Sequence, residues 1–397
     1  MDVLIVGAGI FGVTAALELQ ARGHRVRVID PGPVPHPLAA STDLSKAVRL
    51  EYGADAEYTA LAEQSLDGWR RWNRELAPLY HETGVLFLRQ SALAPGGFEH
   101  DSLALLRARG HAVERMTSDA VRARFPAWRA ERYPDGTFNR EGGWVESGRV
   151  LARLAAEARA RGVALDEGRT FARFLERGSR VGGVITTDGE ACAAERVVMA
   201  AGSWTPHLLP FTADWFRSSG MPVFHLRPDD PSPFAAERFP VFGADISTTG
   251  YYGFPLHPES GVVKIANHGV GRVMHPHSPE RAVTADETAA LRAFLAATFP
   301  SLASAPIVYT RVCLYCDTWD GHFWIAPDPA REGLVLATGG SGHAYKFAPA
   351  LGPLTADAVE HRANPLLQKF RWRPDLRPTH SDEAARHQAD TGDDQPH

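Results

Sequence analysis

The chain opens with a continuous apolar run, Val3-Leu4-Ile5-Val6, the pattern of a strand buried on both faces in a parallel sheet. It passes directly into Gly7-Ala8-Gly9-Ile10-Phe11-Gly12 and then into a helical stretch reaching about Arg22. Gly23 stops that helix, and Arg25-Val26-Arg27-Val28-Ile29 reads as a second strand ending at Asp30. Dense Pro and Gly from Pro31 to Pro37 predict a loop. Beyond it the pattern predicts a long helix over residues 57–79, a strand over 84–88, and helical pieces near 103–109 and 118–124. Ser147 is expected to cap a helix running to Arg161, with Gly162 as its stop. A strand-rich middle follows, over about 180–186, 196–199, 221–226, 251–255 and 262–266. Thr284 and Glu287 form a capping box for a helix to about Thr298. Strands near 307–313, 323–325 and 334–337 precede a Gly-rich loop and a last helix. No internal repeat is visible. From Arg377 the sequence is polar and poor in apolar residues, so disorder is expected over 377–397.

A length of 397 residues predicts two domains rather than one core. With 44% hydrophobic and 22% charged residues, the composition is that of an ordinary soluble globular protein. A net charge of −5 gives no reason to expect a nucleic-acid partner, although one cleft can still carry its own positive field. Three cysteines are too few for a disulfide framework and suit a reducing compartment. The first strand leaves no room for a cleavable leader, no apolar run approaches a membrane span, and the terminal Gln-Pro-His carries no address. A cytoplasmic monomer is the expectation.

The N-terminal unit carries the first chemistry. In strand–G-x-G-x-x-G–helix, Gly7 permits a tight turn, Gly9 lets the backbone approach a pyrophosphate, and Gly12 allows close helix–strand packing. The helix N-terminus offers N–H groups and a positive dipole end to the phosphates. A carboxylate placed like Asp30 accepts hydrogen bonds from both ribose hydroxyls and repels the extra phosphate of NADP. A dinucleotide is expected here. The stretch Arg196-Val197-Val198-Met199-Ala200-Ala201-Gly202-Ser203-Trp204 resembles the strand–turn that two-domain FAD enzymes of the glutathione-reductase-like class place against the flavin. Alone, it is equally any buried strand followed by a turn.

Cys313 and Cys316 form C-x-x-C, which by itself reads as a redox pair, half a zinc site or two inert buried thiols. No second cysteine pair completes a zinc set, and a strand would turn positions three apart to opposite faces. No metal is expected. Arg49, Lys46, Lys264 and Lys346, read bare, are solvated or snorkelling cations.

Two C-terminal stretches narrow the reading: Arg311-Val312-Cys313-Leu314-Tyr315-Cys316-Asp317-Thr318-Trp319-Asp320-Gly321-His322-Phe323, and Gly339-Gly340-Ser341-Gly342-His343-Ala344-Tyr345-Lys346-Phe347-Ala348-Pro349. With the N-terminal fingerprint they resemble the D-amino-acid-oxidase superfamily, nearest to its monomeric sarcosine oxidase and fructosyl-amino-acid oxidase branch, over the chain up to Arg373. The segment from Ser41 to Gly53, with Asp-Leu-x-Lys-x-x-Arg at its centre, is similar to the fructosyl-amino-acid and saccharopine oxidases. The resemblance implies an α/β fold: a Rossmann-like FAD-binding domain of the glutathione-reductase-like class, and a substrate domain on a mostly antiparallel sheet. It divides the chain into residues 1–80, 143–215 and 318–376 for FAD and 81–142 and 216–317 for substrate.

By the same resemblance, FAD is held by Gly7, Gly9, Gly12, Asp30, Ser41, Lys46, Gly202, Gly340, Gly342, His343 and Lys346, and is joined covalently to Cys313 through a thioether. Arg49 and Lys346 bind a substrate carboxylate, and Lys264 promotes the reaction with oxygen. Tyr252 and His268 stand in the substrate pocket, His268 either on substrate or as packing. The implied reaction oxidises the C–N bond of a secondary amino acid to an imine, with O2 reduced to H2O2. Two alternatives stay open: oxidation or dehydrogenation of a 2-hydroxy acid or alcohol, and a non-enzymatic flavin protein with C-x-x-C as a thiol switch. Trp319, Gly321, Trp324 and Ala344-Tyr345 depart from the family pattern and are expected around the pocket, so the substrate itself does not transfer.

Overall fold

The computed structural model describes residues 1–375 and Arg386. Its first sheet is centred on the N-terminal strand Asp2–Val6. On one side lie Arg25–Asp30 and Ala164–Glu167; on the other lie Arg196–Met199, Leu334–Thr338 and Trp324–Pro327. All pairings in it are parallel except the last, Trp324–Pro327 against Leu334–Thr338. Val3, Leu4, Ile5 and Val6 are all buried, as an apolar run covered on both faces requires.

Helix Ile10–Ala21 packs on helix Ala348–Val359, which brings the two ends of the sequence together at the nucleotide end of this sheet. The approach is backbone to side-chain-free backbone: a Cβ at Gly352 would lie 2.5 Å from the Thr14 carbonyl oxygen. Helix Ala56–Glu75 is capped by Asp55, whose side chain accepts from the Tyr58 N–H, and buries Tyr58, Leu61, Leu66 and Trp69 on one stripe. It stops at Glu75, short of the expected Leu79, because Pro78 and the strand Tyr80–His81 take over.

The second large sheet is mostly antiparallel. Its order is Arg272–Val273, Phe216–Leu226, Val263–Asn267, Tyr251–Gly253, Val241–Ala244, Val85–Arg89, Asp135–Asn139 and Glu114–Thr117, with Ile307–Thr318 also paired to Phe216–Leu226. Only Val241–Ala244 against Val85–Arg89 runs parallel. Helix Ala285–Thr298 covers one face, with the Thr284–Glu287 capping box formed as expected. Its Leu291 and Leu295 are fully buried beside Phe299, each burial contributing about 2 kcal/mol. The long pair Phe216–Leu226 and Ile307–Thr318 runs in register from Phe216↔Thr318 to His225↔Tyr309, shifts before Leu226↔Ile307, and lies between the two sheets' cores.

Ser147 is not a cap. It is the first residue of helix Ser147–Ala160, and its hydroxyl donates to the Asp43 carbonyl oxygen at 2.8 Å. Among the described residues, no helix is long and apolar enough to cross a membrane. The expectation for 377–397 lies outside the described residues apart from Arg386. That guanidinium is buried and paired with both oxygens of Asp317, at 2.7 and 2.8 Å.

Candidate active site

The turn after the first strand is forced by its neighbours. Gly7 has φ +104°, and a Cβ there would sit 2.6 Å from the Ala200 carbonyl oxygen; a Cβ on Gly12 would meet the Gly7 carbonyl oxygen at 1.9 Å. Gly9 starts the helix without a side-chain cap, and the Ile10 N–H is met from across the loop by Ser41 Oγ at 2.9 Å. Asp30 takes the Ala8 N–H at 2.8 Å on one oxygen and the Gly32 N–H at 3.1 Å on the other. Burial raises its carboxyl above the ordinary value, and these two N–H donors oppose the rise.

Gly7, Gly9, Ile10, Asp30 and Ser41 line one cavity of about 460 Å³ that runs on past Gly202, Ser203, Gly340 and Gly342 to Lys46, Cys313, Tyr315 and Tyr345. Ser203 Oγ is buried without a hydrogen-bond partner, an atom that awaits a polar ligand. A glycine-lined turn, the Asp30 carboxylate at one end and the Lys46 ammonium at the other fit an extended dinucleotide, so the donor set fits FAD.

The flavin end is built by long-range pairing. Cys313, opposite Met221, has its Sγ 3.8 Å from Lys46 Nζ. Cys316 packs in a different apolar cluster, donated to by the Thr338 hydroxyl at 3.5 Å, and burial pushes its thiol up to about 11. Both cysteines are free. The loop that closes over the cavity, residues 38–42, is held by two arginines. Arg281 donates to the Leu38 carbonyl at 2.6 Å and to Val312 at 3.1 Å, and Arg311 donates to the carbonyls of Thr42 and Ala39.

A smaller cavity of about 70 Å³ adjoins the first and shares Lys46, Tyr315, Gly342 and Tyr345 with it. Gly342, at φ +78°, allows this junction: a Cβ there would lie 2.3 Å from the Tyr315 ring. Arg49 and Lys346 converge on it around Tyr52. The Arg49 guanidinium lies 4.6 Å from the centre of the Tyr52 ring, with Phe98 at 5.5 Å and Phe87 at 5.9 Å, and donates to the Glu51 carbonyl. Lys346 Nζ donates to Tyr52 Oη at 2.9 Å and to the His343 carbonyl at 3.0 Å.

The next bonds fix a tautomer. His343 Nε2 faces the Gly321 carbonyl at 2.9 Å and must donate, so in the neutral imidazole Nδ1 accepts from the Tyr52 hydroxyl at 3.1 Å. Lys346, Tyr52 and His343 thus form one directional chain. Trp69 Nε1 adds a bond to the Lys346 carbonyl at 2.7 Å, tying this loop to helix Ala56–Glu75. On the opposite wall, His268 Nδ1 is 3.4 Å from Tyr315 Oη, and Tyr252 packs beside both. Burial raises the phenols of Tyr252, Tyr315 and Tyr345, so all three stay neutral.

Lys264 is fully buried and lines neither cavity; its Nζ donates to Asp43 Oδ2 and to the Ser45 carbonyl, each at 2.5 Å. Burial lowers its ammonium to about 8, and Asp43 opposes the fall. Asp43 is also buried. Desolvation works against its charge, yet Lys264, His225, Lys46 and Arg311 together hold its carboxyl well below the usual range.

The expected site residues therefore gather in two adjoining cavities, Lys264 and Gly12 excepted; Gly12 packs behind the turn against the Gly7 carbonyl and Ile5. Tyr52, Tyr315, Asp43 and His225 were not singled out from the sequence. Of the departures from the family pattern, Ala344 and Tyr345 line the large cavity, and Tyr345 also lines the small one. Trp319 is 40% exposed and donates to the Asp214 carbonyl. Trp324 stacks on Trp215 and packs against Trp372, and the Gly321 carbonyl faces His343 Nε2.

Known proteins fit this geometry. A family model for FAD dependent oxidoreductases of the DAO type matches residues 2–358. L-saccharopine oxidase of Schizosaccharomyces pombe is 28% identical, covering 94% of this chain and 93% of its own. Monomeric sarcosine oxidase of Bacillus sp. is 26% identical over 88% and 90%. Among solved structures, the deglycating fructosamine oxidase Amadoriase II of Aspergillus fumigatus superposes with a TM-score of 0.83 at 25% identity, covering 98% of this chain and 94% of its own. The chain belongs to the DAO family of FAD-dependent oxidoreductases.

Proposed function

We propose that this protein is an oxidase of N-substituted amino acids that oxidises the C–N bond to an imine. The observation that carries the reading is the placement of Arg49 and Lys346 in the small cavity where it meets the dinucleotide cavity. Two fixed cations, one of them a planar fork, suit a carboxylate. Among the described residues no Asp or Glu lines this cavity, and the positive field of Arg49 and Lys346 favours the unprotonated amine that must react.

Gly7, Gly9, Gly12, Asp30, Ser41, Gly202, Gly340 and Gly342 hold FAD in this reading; Lys46, His343 and Lys346 border its ring, and Cys313 carries it covalently. When bound, FAD supplies the two-electron acceptor for the substrate and passes the electrons to O2, giving hydrogen peroxide. Arg49 and Lys346 orient the substrate, Tyr252 and His268 wall its other side, and the aromatic lining excludes water. Lys46 and Lys264 share the one carboxylate of Asp43, which leaves about one net positive charge beside Cys313 to stabilise a developing oxygen anion. Three unpaired cysteines agree with a cytoplasmic setting, and we take the working unit as a monomer.

Anaerobic mixing of the yellow protein with sarcosine, pipecolate, proline, fructosyl-glycine and saccharopine tests the substrate class. Bleaching of the flavin band by at least one amine supports it; bleaching only by 2-hydroxy acids or alcohols would transfer the site to that chemistry.

A further inference from the structure

Asp43 lies where three elements meet. Its carbonyl accepts from Ser147 Oγ and from the Gly148 N–H at 3.0 Å, which fixes the residue on the end of helix Ser147–Ala160. Oδ2 holds Lys264 Nζ at 2.5 Å and stands 4.0 Å from Lys46 Nζ, while Oδ1 faces His225 Nε2 at 3.7 Å. His225 sits on the long strand Phe216–Leu226, opposite Lys264 on one neighbour and Tyr309 on the other. Its ring lies 4.9 Å from the Tyr309 ring, which is 49% exposed, and its Nε2 has no closer polar partner. A line of proton-carrying groups therefore runs from the protein surface inward, through His225 and Asp43, to Lys264.

We infer that His225 and Asp43 form a proton relay that recharges Lys264 each time dioxygen is reduced. The inference rests on the oxidase function proposed above. Making hydrogen peroxide from O2 takes two electrons and two protons. Both electrons and one proton arrive with the reduced cofactor in its anionic form, so the second proton comes from the protein and finally from water. In the relay, Lys264 gives up that proton, which water carries to the nascent peroxide because Lys264 itself lines neither cavity, and becomes an amine. Asp43 Oδ2 returns one to it as Oδ1 takes one from His225, and His225 regains its own from solvent beside Tyr309. The path is constrained by the partners of Lys264. Its two bonds go to Asp43 and to the Ser45 carbonyl, and a carbonyl has no proton to return. The 3.7 Å between His225 Nε2 and Asp43 Oδ1 is longer than a hydrogen bond, so the relay requires the two groups to approach during turnover.

The charged and titratable groups facing Lys264 are Asp43, Lys46 and Cys313; those facing Asp43 are Lys264, His225, Lys46 and Arg311. With Lys264 titrating near 8, its charge is available at neutral pH and its return step is not trivial.

The test uses the holoenzyme in separate half-reactions. His225→Ala should leave flavin reduction by substrate unchanged and slow reoxidation by O2 roughly tenfold or more, and added imidazole should restore the rate. Native reoxidation, or a slowing that imidazole does not relieve, overturns the relay. A Lys264→Met control separates the two readings. If it reoxidises at the native rate, the role of Lys264 fails; if it is slow while His225→Ala is not, only the relay fails. A spectroscopic readout stands beside the kinetics. The oxidised flavin spectrum should titrate with a midpoint near 8 in the native protein, and Asp43→Asn should move that midpoint down by about one pH unit or more. An unmoved midpoint would show that Asp43 does not hold the Lys264 proton.

Discussion

Replacing Arg49 by lysine keeps the charge and removes the fork, so it isolates what the guanidinium does. Arg49 is 7% exposed and wedged among Tyr52, Phe98 and Phe87, with one N–H committed to the Glu51 carbonyl. The guanidinium lines the small cavity, and its planar fork has the geometry that clasps a carboxylate. A lysine there loses one of two charge-assisted hydrogen bonds to the substrate, about 1.5–3 kcal/mol, and part of the aromatic contact, about 0.5–1 kcal/mol. The sum, about 2–4 kcal/mol, corresponds to a fall in kcat/KM of roughly 30- to 1,000-fold. Because the substrate carboxylate does not change during C–N oxidation, most of the loss should appear in KM rather than in kcat. The assay is steady-state peroxide formation with the best amine of the panel, with the thermal midpoint followed in parallel to detect unfolding. A kcat/KM within about threefold of the native value, in a variant of native thermal stability, would refute the carboxylate assignment and with it the orientation of substrate in the small cavity.

Cys313→Ser should fold and bind flavin that is released on acid precipitation; colour that stays with the protein pellet would remove the thioether from Cys313. Lys264→Met should slow reoxidation by roughly 10²- to 10³-fold and substrate reduction far less, read by stopped-flow absorbance. Gly342→Ala places a methyl group 2.3 Å from the Tyr315 ring at a backbone φ of +78°, so the junction of the two cavities must shift. We expect flavin loading or substrate reduction to fall at least tenfold on the order of the strain involved, and near-native values for both would contradict the close approach. Raising the pH through about 8 removes the Lys264 charge, because its folded value lies below that of a free lysine, so reoxidation should fall above that pH while substrate binding by Arg49 persists.

Local features of this fold were legible in the sequence and long-range ones were not. The turn Gly7–Gly12, the helix Ser118–Arg124 and the Thr284–Glu287 capping box are decided within a few residues, and the structure has each where the pattern puts it. The two longest strands extend further than their apolar patterns, back to Phe216 and on to Thr318. Their extra residues, Ser218, Ser219, Cys316 and Asp317, are buried polar or small groups that show no alternation. Ser147 resembles a cap in sequence, but its hydroxyl is taken by the Asp43 carbonyl. Trp319 and Trp324 flank the flavin motif in sequence, yet the strand and turn geometry sends one to the surface and the other into a tryptophan stack. Asp43 opens the Asp-Leu-x-Lys-x-x-Arg motif without a role assigned to it there, and His225 carries no motif. Only the pairing of Phe216–Leu226 with Val263–Asn267 sets His225 opposite Lys264, and register of that kind is not written in either segment alone.

The central claim is that one cavity presents a carboxylate-bound amine to a flavin that oxygen then reoxidises. Simultaneous measurement of oxygen uptake and peroxide release from the purified yellow protein, against the same panel of secondary amino acids, tests it most directly. The account predicts saturable turnover with at least one amine, and one peroxide formed for each oxygen consumed. Full flavin occupancy with no uptake from any amine, alongside turnover of a 2-hydroxy acid or alcohol, would contradict it.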